Sequence, residues 1–547
     1  MRLRRLSVSV LFLPLSSFAC SDNSPAYPAI VIYGNSDTGS GNNTGSGNNT
    51  GSGNNTGSGN NTGSGNNTGS GNNTSSGNNT SSGGSNGTDL FAHCNQLWSG
   101  QDPPVGKVQC DMNALTDGGE LSGDITADKT LESGKAYKLK GFVRVMPGAT
   151  LTIKPCVKVL GQTQDSVLAV MPGALGNPSK NCSYESGTPG KGAKLVAVGE
   201  PMAPIVFTSA KPVGQRAPSD WGGVILMGNG LNNSATVGDD GVSGTRAIIE
   251  GLETSVCFGW HDDSFNDESS GNLDYVRIEY ASRKIAADNE TNGLTLGALG
   301  SGTGLHHVMV SNSGDDCFEW FGGAVNGDHL IALNCDDDGF DGDNGFSGKL
   351  QFLFGRQYPT TTEIDSRGFE IDGSKSRMVT PFTTEQISNF TVCGGGPTDS
   401  TRSRDGVVLR MNAAVSMMNG IVTGFANSGL YVQADNTGNG AESLSKMTYV
   451  NIFGNFNRLP AASDASGNMN VGVGLDWFTK QAGNSALDPD RFCNCWADLP
   501  VPVGASVAPG AKPVGFPDET ANYVGAFKDG SAESNWMRGA WVDWSAN

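Results

Sequence analysis

Residues 143–153 read VRVMPGATLTI, and residues 168–175 read LAVMPGAL. The two copies of VMPGA begin at Val145 and Val170, which are 25 residues apart. Each copy joins a short segment of alternating apolar residues to a Pro-Gly turn, a pattern typical of β-strands. The period is too short for a propeller blade, which needs about 40 residues. The repeat therefore predicts a solenoid in which each coil contains one such unit.

Short β-branched strands of the same kind continue far beyond this repeat. They begin at Tyr275, His307, His329, Leu350, Asn389, Asn419 and Tyr449. No long amphipathic helical pattern of the kind that forms βαβ units interrupts them. We therefore predict an all-β fold, a parallel β-helix with loop insertions in its longer coils.

Five segments are predicted along the chain. They are a signal peptide at 1–19, a lipidated N-terminus with a disordered tether at 20–88, an N-terminal cap region at 89–130, the parallel β-helix at 131–456, and C-terminal loops with a cap at 457–547.

The first residues have the layout of a secretory signal. Arginines near the N-terminus precede an apolar run from Val8 to Pro14, which is too short to cross a bilayer. Cys20 stands where the lipobox of a bacterial lipoprotein has its lipidated cysteine. We expect lipidation at Cys20, attachment to the outer membrane through lipid only, and exposure at the cell surface. Because Phe18 departs from the usual lipobox, secretion in soluble form is the alternative.

The segment after this signal is a low-complexity repeat. From Gly39, GSGNNT occurs six times in succession and is followed by SSGNNT. These residues have little to bury, so a flexible coil is expected. About fifty such residues span on the order of 40 Å. A tether of this kind suits a body that is displayed away from its membrane.

The chain is acidic, with a formal net charge of −19 at pH 7. Such a charge argues against nucleic acid and anionic lipid surfaces as partners. Cations, an extracellular polysaccharide or a surface protein remain as candidate partners.

Disulfides are expected in the exported body. The chain has 11 cysteines, and the ten that remain without Cys20 form an even set with no spacing typical of a zinc site. The local pairs predicted are Cys94 with Cys110, Cys156 with Cys182, and Cys317 with Cys335, although spacing alone leaves the connectivity open.

Three acid-rich stretches align as successive coils of the solenoid. They are GDDCFEWFGG from Gly314, DDGFDGDNG from Asp337 and SRGFEIDGS from Ser366. The alignment superimposes one phenylalanine from each stretch, namely Phe318, Phe340 and Phe369. We predict that these three rings stack in the interior, which is a structural role.

An acid follows each of these phenylalanines, so the same alignment predicts rows of carboxylates. Coils lie about 4.8 Å apart, which brings like charges close together unless they are hydrated, protonated or bound to a cation. Oxygen ligands at this separation suit calcium. The candidate calcium ligands are Asp337, Asp341, Asp343, Glu319 and Glu370, and an ordinary solvated acidic face is the alternative.

An enzymatic interpretation has to be considered for the same coils. Asp315 and Asp316 resemble the paired aspartates of polygalacturonase-type glycosidases, in which carboxylates act as general acid and base. Arg367 is the nearby candidate for the base of a pectate-type lyase, although an ion pair with Asp338 is the simpler role. The other motifs of such glycosidases are missing, so we expect no enzymatic activity.

Several motifs in a fixed order identify a resemblance. They are APIVFTS from Ala203, DWGGVILMG from Asp220, LDYVRIEY from Leu273, NGLTLGALGSGT from Asn292, SGDDCFEWFGG from Ser313, DDDGFDGDNGFSGKLQF from Asp336, YVGAF from Tyr523 and WMRGAW from Trp536. Together they resemble a family of large bacterial surface lipoproteins with a single-stranded, right-handed parallel β-helix body. The resemblance implies fold and location, and it supplies no catalytic residue.

The order of the last two motifs suggests a role for the C-terminal residues. Trp536, Trp541 and Trp544 are expected to pack against the last coil and to cover its open edge. A tryptophan-lined platform for sugars is the rival interpretation.

The function predicted from these observations is that of a non-enzymatic cell-surface lipoprotein engaged in adhesion, surface-layer or matrix contact. The rival hypothesis is a polysaccharide hydrolase or lyase, or a glycan-binding protein, that uses a groove lined by the acids from Asp315 to Asp343.

Overall fold

The computed structural model describes most of the body of the chain. The described residues are 110–173, 190–233, 247–252, 256–260, 262–286, 289–357, 366–373, 380–395, 405–411, 413–425, 427–432, 446–454, 478, 483–485, 509–528 and 535–544. All of them belong to one structural unit, Ser82–Asn547. The predicted signal peptide, Cys20, the tether, Cys94 and Cys182 lie outside the described residues.

The described chain is built almost entirely of short strands. They are β1 (Thr116–Ile125), β2 (Lys129–Leu131), β3 (Lys135–Val145), β4 (Thr150–Ile153), β5 (Val157–Gly161), β6 (Val167–Val170), β7 (Lys194–Val198), β8 (Ile205–Ser209), β9 (Val224–Met227), β10 (Ala247–Ile249), β11 (Val256–Phe258), β12 (Gly271–Glu279), β13 (Arg283–Ala286), β14 (Asn289–Thr291), β15 (Leu294–Leu299), β16 (Gly304–Ser311), β17 (Phe318–Gly323), β18 (Gly327–Leu333), β19 (Phe340–Asp343), β20 (Lys349–Arg356), β21 (Phe369–Asp372), β22 (Gln386–Cys393), β23 (Asp405–Arg410), β24 (Ser416–Phe425), β25 (Ser428–Val432) and β26 (Lys446–Gly454). A short 3-10 helix, Asp263–Phe265, precedes β12.

Parallel pairing between successive coils organises these strands. One ladder runs through β12, β16, β18, β20, β22, β24 and β26, and another runs through β9, β15, β17, β19, β21, β23 and β25. Within the repeat that predicted the solenoid, Val145 of β3 pairs with Val170 of β6. The predicted all-β parallel β-helix is therefore confirmed.

The two ends of the parallel ladder can be compared with the predicted segments. Strand β1 pairs in parallel with β3, so the coils begin at Thr116, within the region predicted to be an N-terminal cap. The last strand of the ladder, β26, ends at Gly454, close to the predicted boundary at 456. No helix in the described part of the chain is both long and apolar enough to span a membrane.

The interior contains the predicted phenylalanine stack. Phe318 pairs with Phe340, which pairs with Phe369, and the ring centroids are 5.4 and 5.1 Å apart. All three rings are essentially inaccessible to solvent. The next two positions of the column are Val407 and Leu430. The prediction that these three rings stack in the interior is therefore confirmed.

A column of residues in the left-handed backbone region marks one corner of the β-helix. We call Tyr275, His307, His329, Phe352, Asn389 and Asn419 the corner column, because each has a φ between 43° and 59° at the same point of its coil. Asparagine tolerates this conformation readily. The aromatic side chains at the other four positions stack on one another. The centroid distances are 4.2 Å for Tyr275 and His307, 4.5 Å for His307 and His329, and 4.7 Å for His329 and Phe352.

One of the three predicted local disulfide pairs is present, and the other two are wrong. Cys317 is bonded to Cys335, as predicted. Cys110 is bonded to Cys156 across 46 residues, so the predicted pairs of Cys94 with Cys110 and of Cys156 with Cys182 are wrong. The reason is the coil geometry, which brings Cys110 beside the segment that ends at Cys156, with a Cα separation of 5.5 Å.

The C-terminal segment, residues 509–528 and 535–544, lies along the side of the β-helix. Its backbone bonds to Asn419 through Gly525 at 2.9 Å and to Pro201 through Trp541 at 3.1 Å, which are far apart in the order of coils. The prediction that it covers the open edge of the last coil is therefore wrong. Trp541 and Trp544 are buried, so they form no exposed platform for sugars.

This position follows from the apolar residues on the outer side of the strands. Met309, Ile331 and Phe354 occupy one outward column and would face water without a cover. They form a second hydrophobic cluster with Trp541 and Trp544 from the C-terminal segment. Burying this strip is a hydrophobic gain of about 25 cal/mol per Å² of apolar surface.

Candidate functional site

The acid-rich coils form one continuous patch on the outside of strands β17, β19 and β21 and the turns that precede them. We call this patch the acidic face, and it consists of Asp315, Asp316, Glu319, Asp337, Asp338, Asp341, Asp343, Glu370 and Asp372. Successive side chains of a strand alternate between its two sides. The phenylalanine stack therefore faces the interior, and the acid that follows each phenylalanine faces outward.

The strand register aligns these acids across coils. Glu319 pairs directly with Asp341, and Asp341 pairs with Glu370. Glu319 and Glu370 are 6% and 3% exposed, so their carboxylates have lost most of their contact with bulk water. The amide of Asn292 in the preceding coil donates to Glu319. The predicted row of carboxylates is therefore present, and it is largely buried.

The turns before the strands add a second set of carboxylates. Asp316 accepts a hydrogen bond from the backbone N–H of Asp338 at 2.7 Å, one coil further on. The backbone N–H of Asp337 lies 3.5 Å from the carbonyl oxygen of Asp315. These bonds hold two pairs of adjacent aspartates in equivalent positions of neighbouring coils. Sequence alignment placed Asp315 and Asp337 in the same column, and the structure agrees.

Two arginines contact the acidic face. The guanidinium of Arg367 lies 3.3 Å from the Asp338 carboxylate and also contacts Glu370, while its backbone N–H donates to Asp338 at 2.6 Å. Arg410 binds Asp372 through two hydrogen bonds of 2.7 and 2.8 Å and contacts Glu370. The predicted ion pair of Arg367 with Asp338 is therefore present. The carboxylates of the face outnumber these two guanidinium groups.

Two groups of carboxylates are close enough to share a cation. One is Asp316, Asp337 and Asp338, and the other is Asp316, Glu319 and Asp341, with oxygens in each group within 4.8 Å of one another. Calcium binds oxygens at about 2.3–2.6 Å, so two of its ligands lie at most about 5 Å apart. Asp341 Oδ1 is a buried oxygen that makes no hydrogen bond within the described chain. The donor set fits a hard divalent cation.

Not every predicted calcium ligand belongs to these groups. Glu370 is engaged by both arginines. Asp343 accepts a hydrogen bond from the backbone N–H of Asn344 at 2.5 Å and lies at the edge of the face. Asp337, Asp341 and Glu319 are brought together with Asp316, which sequence analysis considered only as a catalytic residue.

Burial and mutual repulsion dominate the electrostatics of the site. Burial raises the pKa of Asp315 to about 9, with a further contribution from the charge of Asp337. Burial also raises the pKa values of Asp316, Glu319 and Asp341 well above their ordinary range, and neighbouring carboxylates add to the effect. Without a cation, burial and the neighbouring charges therefore favour the protonated form of these carboxyl groups. A bound divalent cation would compete for the same oxygens.

The carboxylate distances and the ion pairs of Arg367 can be compared with what a glycosidase and a pectate-type lyase need. Inverting glycosidases separate their carboxyl groups by about 6.5–9.5 Å to admit a water, and retaining enzymes by about 5–5.5 Å. One oxygen from each of Asp316, Glu319 and Asp341 lies within 4.8 Å of the other two, which is the separation of oxygens around a shared cation. Arg367 bonds two carboxylates, which favours its protonated form and disfavours a role as base.

Sequence reasoning missed Arg410 as a member of the site. The stretch SRDGVVLRMN from Ser403 has few acids, so nothing in it indicated a part of the acidic face. Arg410 pairs in register with Asp372 of the preceding coil. Counting from the aligned Gly-apolar turn of each coil would have placed these two residues side by side.

Comparison with known proteins agrees with this architecture. Residues 123–496, more than half of the chain, match the pectate-lyase-like β-helix domain family. The chain belongs to that family, and its predicted resemblance to β-helix proteins is confirmed in the fold. No curated protein matches the chain.

Two solved structures resemble parts of it. The enzymatically active domain of tailspike protein 2 of bacteriophage CBA120 is 12% identical, with a TM-score of 0.19, and the match covers 58% of this chain and 43% of that one. The Dettilon tailspike protein is 12% identical, with a TM-score of 0.18, and the match covers 67% of this chain and 61% of that one. The chain thus spans less than two thirds of either protein. Neither match assigns it an activity.

Proposed function

We propose that this protein binds a polysaccharide, together with calcium, at the acidic face. The observation that carries the proposal is the alignment of buried carboxylates from three successive coils, with only partial compensation by Arg367 and Arg410. When they are ionised, such carboxylates repel one another, and a bound cation removes that repulsion. Its repeat along the β-helix suits an extended polymer, which offers hydroxyl or carboxylate oxygens at regular intervals.

Calcium fits the ligands better than other metals do. The groups around Asp316 contain carboxylate oxygens and no sulfur or imidazole nitrogen. Hard oxygen donors suit calcium and magnesium, and calcium tolerates the irregular geometry of side chains from different coils. Asp316, Glu319 and Asp341 are the residues proposed to hold it, with Asp337 and Asp338 as a second group. Remaining coordination positions on the ion would accept sugar oxygens.

The protein is proposed to bind the polysaccharide without cleaving it. Single oxygens of Asp316, Glu319 and Asp341 come within 4.8 Å of one another, as the ligands of one cation do, and Arg367 is engaged by two acids. One observation favours a hydrolase as a second candidate. The raised pKa of Asp315, about 9, keeps that group protonated at neutral pH, as a general acid requires.

Surface display is part of the proposal. The predicted lipobox at Cys20 and the repeat that begins at Gly39 support a lipid-anchored protein on a flexible tether. A binding body at the end of a tether would reach polymers outside the cell, in adhesion or matrix contact. Replacing Cys20 with Ser tests the anchor, because the variant should move from the membrane fraction to the medium. Retention of the Cys20→Ser protein in the membrane would remove the anchor from this account.

The binding proposal is tested with a panel of neutral and acidic polysaccharides, in calcium and in EDTA. We expect retention of the wild type on at least one polymer in calcium, with loss in EDTA and in Asp316→Asn. Asp117→Asn is the matched control, because Asp117 is an exposed acid of β1 outside the face. Reducing ends and unsaturated sugars are measured in the same samples. Release of either by the wild type, but not by Asp316→Asn, would replace the proposal with an enzymatic one.

A further inference from the structure

A separate cleft lies between the corner column and the C-terminal segment. Its volume is about 520 Å³. That value falls within the range of about 300–1,000 Å³ that is typical of small-ligand sites. The cleft lies on the strands of the β18 and β20 ladder, whereas the acidic face lies on β17, β19 and β21. It is therefore a different site from the one described above.

One wall of the cleft is aromatic. His329 stacks on Phe352 at 4.7 Å, and the indole of Trp536 meets His329 edge to face at 5.0 Å. The indole N–H of Trp536 donates to the carbonyl oxygen of Ala526 at 2.8 Å, which fixes the orientation of the ring. His329 lies between His307 and Phe352, and Trp536 also stacks on Phe527 at 5.4 Å, so His329 presents a ring edge and both rings are held rigidly.

Much of the remaining lining of the cleft is polar. It includes the exposed side chains of Thr520, Asn522 and Lys528 from the C-terminal segment. His329 adds a polar atom from the aromatic side, because its Nδ1 is hydrogen-bonded to Asp328 at 2.6 Å and Nε2 is the ring nitrogen left for a ligand. Burial lowers the pKa of His329, which favours the neutral imidazole.

The rim of the cleft is held in place before any ligand arrives. The side-chain amide of Gln351 exchanges two hydrogen bonds of 2.9 Å with the backbone of Asp518. The amide of Asn389 donates to the carbonyl oxygens of Ala521 and Tyr523 at 3.0 and 2.8 Å. A rim fixed by buried amides loses little conformational entropy on binding. The cleft is therefore preorganised.

We propose that this cleft binds a single neutral sugar ring, such as the end or a branch of a polysaccharide. A pyranose has C–H groups on its faces and hydroxyl groups around its edge, which matches an aromatic wall beside a largely polar lining. The inference does not depend on calcium or on the acidic face. If both sites hold the same polymer, their combined affinity exceeds that of either one.

The test uses the full-length protein in EDTA, so that binding at the acidic face is suppressed. The probes are methyl glycosides of glucose, galactose, mannose and N-acetylglucosamine, with galacturonate as the charged comparator. Binding is followed by calorimetry and by ligand-observed NMR. We expect one of the neutral probes to bind with a dissociation constant in the millimolar range or below.

Substitutions of residues that line the cleft test whether the probes bind there. Asn522→Ala and Lys528→Ala should each weaken it about three- to tenfold, the loss expected for one or two hydrogen bonds. Trp536→Leu should abolish it. Lys512→Ala is the matched control, because Lys512 is an exposed lysine of the same segment that pairs with Glu519 outside the cleft, and it should bind as the wild type does.

Three results would overturn the proposal. They are no binding of any neutral probe at about 20 mM, equal affinity in the wild type, Asn522→Ala and Lys528→Ala, or tighter binding of galacturonate than of every neutral ring. Because Asn522 and Lys528 are exposed, their variants stay informative even if Trp536→Leu loosens the C-terminal segment. Binding in EDTA also separates this proposal from the acidic-face function, which requires calcium.

Discussion

Glu319 and Asp341 lie directly opposite each other in adjacent coils, as a register pair of β17 and β19. Strands in such a ladder are about 4.8 Å apart, so two ionised carboxylates at this spacing repel strongly in a buried site. Burial and the neighbouring charge raise the pKa values of both groups well above their ordinary range. The pair is therefore stable only when it holds a proton or a cation.

Calcium should stabilise the body against heat. A ligand that binds only the folded state adds about 2.7 kcal/mol at one hundred times its dissociation constant, which corresponds to a rise in Tm on the order of 5 °C. Differential scanning fluorimetry in calcium and in EDTA measures this shift. An unchanged midpoint would remove the cation from the account of the acidic face.

Replacing Asp341 with Asn should have opposite effects in the two conditions. In EDTA the wild type has to protonate or tolerate a buried carboxyl group beside Glu319 and the amide of the variant does not, so the Tm of the variant should equal or exceed that of the wild type. In calcium it loses a ligand, so the calcium-induced shift should fall by at least half. Asp117→Asn should retain the full shift, since Asp117 is exposed and belongs to β1. A full shift in Asp341→Asn would place the ion elsewhere.

Phe340 occupies the middle of the interior stack, so its truncation should be costly. Phe340→Ala removes contacts with both Phe318 and Phe369 and leaves a cavity, with an expected loss of about 3–5 kcal/mol in the free energy of unfolding. Phe340→Leu should lose less, because much of the volume is kept. Urea denaturation measures both variants. Val213→Ala, at a side chain that is 68% exposed, should stay within about 0.5 kcal/mol of the wild type.

The interior stack and the rows of acids could be predicted because they depend on local spacing. Phe340 and Asp341 are adjacent in a strand, so they point to opposite sides once the fold is a β-helix. The turn that precedes each phenylalanine then sets the register of the whole coil. Arg410 stands three residues after Val407, as Asp372 stands three residues after Phe369, so the same counting would have aligned them, although the scarcity of acids in that coil drew no attention to it.

The sequence contains a signal that part of the outer side of the β-helix is covered by another segment. Strands such as β16 and β20 carry apolar residues at consecutive positions, which indicates burial on both sides of the sheet. The outer apolar column of Met309 and Phe354 therefore required a cover from elsewhere in the chain. Which segment supplies it depends on long-range packing. Glu385, an acid that directly precedes β22 and is buried, had no such signal, because a single acid before a strand is typical of an exposed loop.

The disulfide connectivity can be measured directly. Proteolysis without reduction, followed by mass spectrometry, should recover Cys110 linked to Cys156 and Cys317 linked to Cys335. Closing a loop of 46 residues should stabilise the fold by about 4 kcal/mol through the entropy of the unfolded chain. The double variant Cys110→Ser with Cys156→Ser should lose about that amount. Recovery of a Cys94–Cys110 peptide would contradict the observed pairing.

Glu385 should make the stability of the protein depend on pH. Its side chain is 2% exposed and lies against Gly342, where a Cβ atom would overlap the carboxylate. Its Oε2 makes no hydrogen bond within the described chain. Burial raises the pKa of Glu385 from an ordinary value of 4.5 to about 8. The folded protein therefore keeps this proton over a pH range in which the unfolded chain releases it.

The sign of the effect follows from this difference in bound protons. Below pH 4.5 both states are protonated and the full stability is present, and between pH 4.5 and 8 stability falls as pH rises, by at most about 1.4 kcal/mol per pH unit. Glu385→Gln has no proton to lose. The free energy of unfolding of Glu385→Gln should therefore exceed that of the wild type by an amount that grows from near zero at pH 4 to several kcal/mol at pH 8. Urea denaturation at both pH values measures this, with Glu120→Gln at an exposed position of β1 as the control. Because the acidic face titrates equally in wild type and variant, a difference that stays constant with pH would mean that Glu385 is ionised in the folded protein.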